Sequence, residues 1–173
     1  MTSAEILGFP CAAILLRAVV DGEHQRELFR RWPAGVSVVV AESGARRAGL
    51  TVSSLVSVSL DPPLVSISLG RAASLFEVLD EADDWAVSIL GREQEHLAQH
   101  FARSVPPLVQ WDGIPVREDE PRLLQGAAGW LVVRTIERFD AGDHVIFLGA
   151  TELLEPGPGV GGLVYVDRRY VPL

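Results

Sequence analysis

Two neighbouring stretches of the chain alternate between apolar residues and serines. The apolar positions are Val56, Val58 and Leu60 in the first stretch and Val65, Ile67 and Leu69 in the second. Alternation with a period of two is typical of a strand that has one buried face and one polar face. The pattern therefore predicts two strands around the turn Asp61-Pro62-Pro63, each with its apolar residues in the core and its serine hydroxyls on the other face.

Further short segments are rich in β-branched and apolar residues, as strands are. They are residues 36–41, 48–54, 85–90, 129–138, 143–153 and 163–166, with a short tail through Tyr170. Because the strands come in runs and do not alternate one-for-one with helices, the order predicts a closed antiparallel barrel with added helices. A doubly wound nucleotide-binding fold does not fit this order.

The predicted helices are few and short. The charged residues 23–31 are helix-forming and end at the turn Trp32-Pro33-Ala34-Gly35. Ser74 can cap a helix over residues 75–81, and residues 92–103 carry apolar side chains at helical spacing. Those side chains are Leu97, Ala98 and Phe101. Residues Pro106, Pro107, Gly113 and Pro115 predict an irregular connection before the next strand.

Composition and charge narrow the functional class. The 173 residues are 48% hydrophobic, which suits one globular domain with its own core. Fifteen basic against 23 acidic residues give a net charge of −8, and the chain lacks the basic cluster that a nucleic-acid-binding protein carries. The single cysteine, Cys11, cannot form an intramolecular disulfide, which favours a reducing compartment.

The first residues carry an apolar run, 6–16, that has the length of a signal-peptide core. The residues before it include Glu5 and no basic residue, and the run is too short to span a bilayer. We therefore expect no membrane association and a cytoplasmic protein. With no internal repeat or linker, the chain divides into an extension of unknown role, residues 1–23, and one domain, residues 24–173.

Two motifs look functional in isolation. Residues Gly157 to Gly162 match the dinucleotide pattern G-x-G-x-x-G, but a strand follows them where that motif needs a helix, and Pro158 lacks an amide donor. We expect a flexible hairpin connection there. His96 and His100 have a metal-binding spacing, but Leu97 stands where a zinc protease carries glutamate, so we expect an exposed helix face and no metal site.

Three segments considered together are more specific. They are Trp32-Pro33-Ala34-Gly35-Val36, then Gly49-Leu50-Thr51-Val52-Ser53-Ser54 leading to the Ser57–Leu64 stretch, then Gly142-Asp143-His144. In this order they resemble the flavin reductase family, the small NAD(P)H:flavin oxidoreductases that serve two-component monooxygenases. Residues 97–102 and 165–170 fit the same pattern, so the likeness runs from about Leu28 to Tyr170.

The resemblance implies a mainly β fold, an FMN-binding split β-barrel that is antiparallel and Greek-key-like, and a homodimer. It places Thr51, Val52, Ser53 and Ser54 against the flavin ring; Gly70, Arg71 and Ser74 at the flavin phosphate or adenosine side; and Phe101, Ala102 and Arg103 across the site. It places His144, Arg169 and Tyr170 beside the nicotinamide, where His144 orients the nicotinamide or its pyrophosphate.

The implied function is reduction of free FAD or FMN by hydride from NADH or NADPH, with the reduced flavin passed to a separate monooxygenase. Such a reaction requires positioning and no protein nucleophile. The choice of flavin stays open because Gly70-Arg71-Ala72-Ala73-Ser74 departs from the asparagine and paired serines of many members. The alternative is a protein of the same fold that retains its flavin, as an electron carrier or a non-reductase.

Overall fold

The computed structural model describes residues 21–103 and 110–173. The apolar run 6–16, Cys11, Pro106 and Pro107 lie outside these ranges. Helix α1 (Gly22–Phe29) belongs to a first unit that ends at Trp32, and Pro33–Leu173 form a second unit. The prediction of a helix over residues 23–31 is confirmed. The carboxylate of Asp21 caps this helix by accepting a hydrogen bond from the Glu23 N–H at 3.1 Å.

The described part of the second unit contains two antiparallel sheets. In spatial order, the larger sheet contains β3 (Arg46–Val52), β2 (Ser37–Ser43), β6 (Asp84–Ile89), β7 (Gly129–Ala141), β8 (His144–Pro156), β5 (Pro63–Gly70) and β4 (Val56–Leu60). The smaller sheet contains β1 (Ala34–Gly35), β9 (Leu163–Val166) and β10 (Arg169–Pro172). Helix α2 (Phe76–Glu81) precedes β6, and helix α3 (Glu95–Phe101) follows it. The predicted mainly β, antiparallel class is confirmed.

The edges of the larger sheet lie close together because consecutive strands form them. Edge strands β3 and β4 are joined by residues 53–55, a connection that spans at most about 14 Å. The sheet therefore has to curl into a barrel that is split between these strands. Ser54 extends the contact of β4 with β5: its hydroxyl donates to the Ser68 carbonyl at 2.8 Å and accepts from the Ser68 N–H at 3.2 Å. We call residues 53–55 the seam.

Burial follows the predicted alternation in β5 but not in β4. Val65, Ile67 and Leu69 of β5 are all buried, as predicted. The prediction for β4 is wrong: Val56, Val58 and Leu60 are 54%, 50% and 87% exposed. As an edge strand, β4 pairs only with β5 in the sheet order, and a register shift between Ser57 and Ser59 interrupts its alternation.

Two predictions about the helices have different outcomes. Leu97, Ala98 and Phe101 are buried on one face of α3, as predicted. The prediction that Ser74 caps α2 is wrong, because the N-cap position is Leu75 and Ser74 lies one residue earlier in an exposed turn. Leu75 is fully buried, and no side chain caps this helix. No helix in the two described ranges is long and apolar enough to cross a membrane.

The glycine-rich segment 157–162 has a structural explanation. It leads from β8 in the larger sheet to β9 in the smaller one, so the prediction of a hairpin is wrong, and a strand follows it as expected. The N–H of Gly157 donates to Ala128 O at 2.9 Å, and that of Gly159 donates to Ala127 O at 3.0 Å. A Cβ atom on Gly157 would collide with Ala127 O, so the motif serves close backbone packing.

Candidate functional site

A cavity of about 200 Å³ opens where β3 ends and the seam begins. It is lined by the end of β3, the residue that follows α3, strands β9 and β10 of the smaller sheet, and the residue between β1 and β2. The lining residues are Val36, Thr51, Val52, Ser53, Ala102, Tyr165 and Tyr170. The structure thus brings together five of the residues predicted for the site, namely Thr51, Val52, Ser53, Ala102 and Tyr170.

The walls of this cavity are tied together at one carbonyl group. The Thr51 hydroxyl donates to Ala98 O at 2.8 Å, and the Tyr170 hydroxyl donates to the same oxygen at 3.4 Å. The N–H of Ala102 also donates to it at 3.1 Å. Residues from β3, α3 and β10 therefore share one acceptor, which holds the Thr51, Ala102 and Tyr170 sides of the cavity in a fixed arrangement.

The two tyrosines form an aromatic wall. Their ring centroids lie 5.1 Å apart because Tyr165 and Tyr170 are cross-strand partners in the β9–β10 ladder. Burial raises the pKa of the Tyr170 hydroxyl above its usual value, with smaller contributions from Tyr165 and Glu95. Tyr170 therefore stays a neutral hydrogen-bond donor at neutral pH. Tyr165 was missed by the sequence reasoning, although it lies in the closing segment that carries the family resemblance.

A second group of predicted residues lies where β5 ends beside β8. Gly70 is the cross-strand partner of His144, and the N–H of Arg71 donates to Asp143 O at 3.0 Å. The Nδ1 atom of His144 lies 2.7 Å from a carboxylate oxygen of Asp143. The structure therefore brings Gly70, Arg71 and His144 together.

Arg71 has a partner that the sequence reasoning did not anticipate. Its guanidinium forms an ion pair with Asp140 near the end of β7, and it lies 5.6 Å from the Phe76 ring centroid. The pair is partly exposed, so water and salt weaken its attraction. An incoming anion would have to share Arg71 with this carboxylate.

Ser54 connects the two groups. Its hydroxyl contacts Ser68, and Gly70 lies two residues further along β5. At about 3.3 Å per residue, Gly70 is about 7 Å from that contact. The cavity and the Arg71–His144 group therefore border the same region around the seam.

Four predicted residues belong neither to the cavity lining nor to the Arg71–His144 group. Ser74, Arg103 and Arg169 are exposed in turns or at a strand end. Phe101 is fully buried, with its ring 5.2 Å from that of Trp111. Phe101 thus anchors the helix that carries Ala102, and the roles of these four residues stay predictions.

The two spaced histidines differ in their surroundings. His96 is exposed, and the Nε2 of His100 lies 2.7 Å from the carbonyl oxygen of Gln110. Within residues 21–103 and 110–173, no three side chains of the metal-binding types cluster closely enough to hold an ion. His100 therefore has a structural partner in the backbone of Gln110.

Comparison with known proteins decides the family. The model of the flavin reductase like domain matches residues 29–173 of this chain. The chain belongs to the flavin reductase family. The predicted resemblance and the mainly β split-barrel fold are thereby confirmed, whereas the division into residues 1–23 and 24–173 stays a prediction.

Individual members of the flavin reductase family cover most of the chain. An NADH:FMN oxidoreductase of Rhodococcus qingshengii is 37% identical over 136 residues, which are 78% of this chain and 70% of that protein. The solved NADH:FAD oxidoreductase of Streptomyces globisporus is 33% identical, with a TM-score of 0.82 over 90% of this chain and 95% of its own. BorF, the flavin reductase component of a bacterial two-component tryptophan halogenase, is 31% identical, with a TM-score of 0.79 over 88% and 98%.

The cavity has the chemistry that a flavin ring requires. Such a ring needs polar groups along its pyrimidine edge and apolar contact on its faces. Ser53 is exposed beyond the end of the β2–β3 ladder, and Thr51 adds a second hydroxyl. Val36, Ala102 and the tyrosine rings supply apolar surface. The residues present therefore fit a flavin.

Proposed function

We propose that this protein reduces free FAD or FMN with NADH or NADPH and supplies the reduced flavin to a separate flavin-dependent monooxygenase. Membership of the flavin reductase family establishes the class of enzyme. Five residues that the family resemblance assigns to the site line one cavity at the seam, and this coincidence carries the proposal. The NADH:FMN and NADH:FAD activities named for its relatives support the choice of substrates.

The residues at the seam hold the flavin ring in this proposal. A bound flavin supplies the chemistry by accepting a hydride from the nicotinamide. Thr51, Val52 and Ser53 contact the ring, Ser54 lies at the start of its ribityl chain, and Ala102 closes the other side with Phe101 and Arg103. Because no protein nucleophile is needed, these residues contribute by fixing distance and orientation.

Arg71 faces the phosphate of the flavin, or the adenosine side of FAD, with Gly70 and Ser74. An arginine is a strong partner for phosphate because its guanidinium donates two parallel hydrogen bonds. Its ion pair with Asp140 means that phosphate and carboxylate compete for the same cation. We therefore expect moderate flavin affinity, which suits a flavin that is released as product.

His144, Arg169 and Tyr170 border the nicotinamide. The side chain of His144 is about half exposed, so a substrate can reach it from solvent. A carboxylate can only accept, so Nδ1 donates to Asp143, and Nε2 is the ring nitrogen left for a substrate. A carboxamide N–H of the nicotinamide is a suitable donor for that atom.

Three further parts of the proposal concern the oligomeric state, the cellular location and the partner protein. The exposed apolar side chains of edge strand β4 support a homodimer, because such a strand offers unpaired backbone groups together with apolar surface. The single cysteine and the use of NAD(P)H support a cytoplasmic location. A partner monooxygenase is supported by relatives such as BorF, which is a component of a two-component system.

The direct test measures NADH consumption in air by the purified protein, with FAD, FMN or no flavin added. We expect rapid oxidation that depends on added flavin, and the same assay with NADPH ranks the two donors. No turnover, with a yellow protein that keeps its flavin through gel filtration, would support the electron-carrier alternative. No turnover and no flavin binding would contradict both functions.

A further inference from the structure

Gln110 is a buried polar side chain that the proposed mechanism does not use. It is 3% exposed, and its amide makes two hydrogen bonds with the backbone of one residue in β3. Its Oε1 accepts from the Gly49 N–H at 3.1 Å, and its Nε2 donates to the Gly49 carbonyl at 2.9 Å. Gln110 therefore pairs with the open edge of β3 as a neighbouring strand would.

The backbone of Gln110 is held by α3. Its carbonyl oxygen lies 2.7 Å from Nε2 of His100, and because a carbonyl can only accept, this nitrogen carries the proton. His100 lies in the last turn of α3, two residues before Ala102, which lines the cavity. Gln110 thus connects the edge of β3 with the end of α3.

These contacts complete a ring of hydrogen bonds. Thr51 follows Gly49 by two residues in β3, and its hydroxyl donates to Ala98 O in α3. The ring therefore runs from β3 to α3 through Thr51, along α3 to His100, and back to β3 through Gln110. Both elements that this ring joins contribute lining residues to the cavity.

The apolar contact between β3 and α3 cannot by itself fix the position of the helix along the strand. A Cβ atom on Gly49 would lie 2.8 Å from the Phe101 ring, so the helix rests directly on the strand backbone. Such a contact brings the elements close but is not directional, whereas hydrogen bonds are directional. The polar ring is what can hold Thr51 and Ala102 at a defined separation.

We propose that Gln110 is a positioning residue for the flavin: it fixes the separation between the end of β3 and the end of α3. The proposal rests on the proposed function, since it assumes that the flavin occupies the cavity. Gln110 acts on the flavin only through β3 and α3 and does not contact it. Loss of Gln110 therefore weakens flavin binding more than nicotinamide binding.

Gln94 provides a matched control. It is also buried, at 8% exposed, and its amide also makes two backbone hydrogen bonds. Its Oε1 accepts from the Gly91 N–H at 3.0 Å, and its Nε2 donates to Gln125 O at 3.0 Å. It is not among the residues that line the flavin cavity. Gln110→Ala and Gln94→Ala therefore remove the same chemistry from two places.

The experiment measures the Kd of oxidised FMN and FAD by fluorescence quenching, the KM of flavin and of NADH, kcat, and Tm. We expect Gln110→Ala to raise the flavin Kd and KM about tenfold, with the NADH KM and kcat within about twofold. We expect Gln94→Ala to lower Tm by a similar amount with the flavin Kd unchanged. Gln110→Asn keeps the amide but is one methylene too short to reach Gly49, so it should also raise the flavin Kd, and it serves if Gln110→Ala does not fold.

An unchanged flavin Kd in the Gln110 variants, or an equal rise in Gln94→Ala, would overturn the positioning role. A wild-type protein that binds flavin without consuming NADH would contradict the proposed function, while the Kd comparison would still decide the role of Gln110. A wild-type protein that does not bind flavin would overturn both.

Discussion

At the residue scale, His144 is the side chain that we propose for nicotinamide binding. It opens β8 beside Gly70, and the Asp143 carboxylate fixes its ring through Nδ1 at 2.7 Å. The ring is therefore oriented before any substrate arrives, with Nε2 directed away from the carboxylate. A preoriented acceptor lowers the entropy cost of binding the carboxamide.

Replacing His144 with Ala should raise the KM of NADH about tenfold, because one hydrogen bond to the nicotinamide is lost. The KM of flavin should change less than about twofold, since His144 does not line the flavin cavity. Steady-state kinetics with each substrate varied in turn gives both constants. His96→Ala is the control, as His96 is an exposed histidine outside the proposed site, and an equal rise there, or none in His144→Ala, would contradict this role.

Which individual residues meet could be predicted only in part. The segment Thr51-Val52-Ser53 was identified from sequence because it belongs to the Gly49–Ser54 block that carries the family resemblance. Tyr165 could not be identified in that way, because its place on the cavity depends on the β9–β10 register. Asp140, the partner of Arg71, lies 69 residues further along the chain, and local pattern carries no signal for such a pair.

At the scale of the element, strand β4 combines two features that an isolated protein rarely shows together. It is an edge strand, and its apolar side chains are exposed. Natural edge strands are usually short, charged or covered. Covering this strand with a second copy of the chain would remove both the open edge and the exposed apolar surface.

Replacing Val58 with Arg should convert the proposed homodimer to a monomer, because a two-fold interface would bury the new charge twice without a partner. We expect the dimer Kd to rise at least about tenfold, while Tm changes little because Val58 is 50% exposed within one chain. Light scattering after size-exclusion chromatography measures the change. Leu154→Arg is the control on β8, where the side chain is 70% exposed, and a wild-type monomer would rule out the interface.

Most elements were predictable because their hydrophobic periods are strong. Ile67 and its neighbours in β5 alternate as the sheet requires, and Leu97 and Phe101 follow the helical period. Alternation alone does not say which strand lies at the edge of a sheet. The same pattern therefore gave a wrong prediction of burial for β4. The prediction for Ser74 was wrong because α2 begins one residue later than the pattern suggested, which puts Leu75 at the N-cap position.

At the scale of the whole molecule, the net negative charge of the protein repels its anionic substrates. The chain carries a net charge of −8, and FMN, FAD and NADH are all anions at neutral pH. Long-range repulsion therefore reduces their local concentration near the protein, and salt screens this repulsion over about 8–10 Å at physiological ionic strength.

Raising the salt concentration from about 0.01 M to about 0.15 M should lower the KM of FMN roughly twofold, because screening weakens the repulsion. Riboflavin has the same ring without the phosphate, so its KM should stay unchanged and it serves as the matched control. Initial rates at several salt concentrations give both values. A KM of FMN that rises with salt would mean that the local attraction of Arg71 outweighs the charge of the whole protein.

Ser54 has a consequence for how this protein can evolve or be engineered. Its hydroxyl makes two hydrogen bonds with the backbone of Ser68 in β5, and it lies in the same short segment that we propose to contact the flavin. Substitutions in this segment that alter cofactor preference also alter how firmly the barrel holds together. Selection for a new cofactor is therefore constrained by folding at this position, and compensating substitutions are expected elsewhere in the barrel.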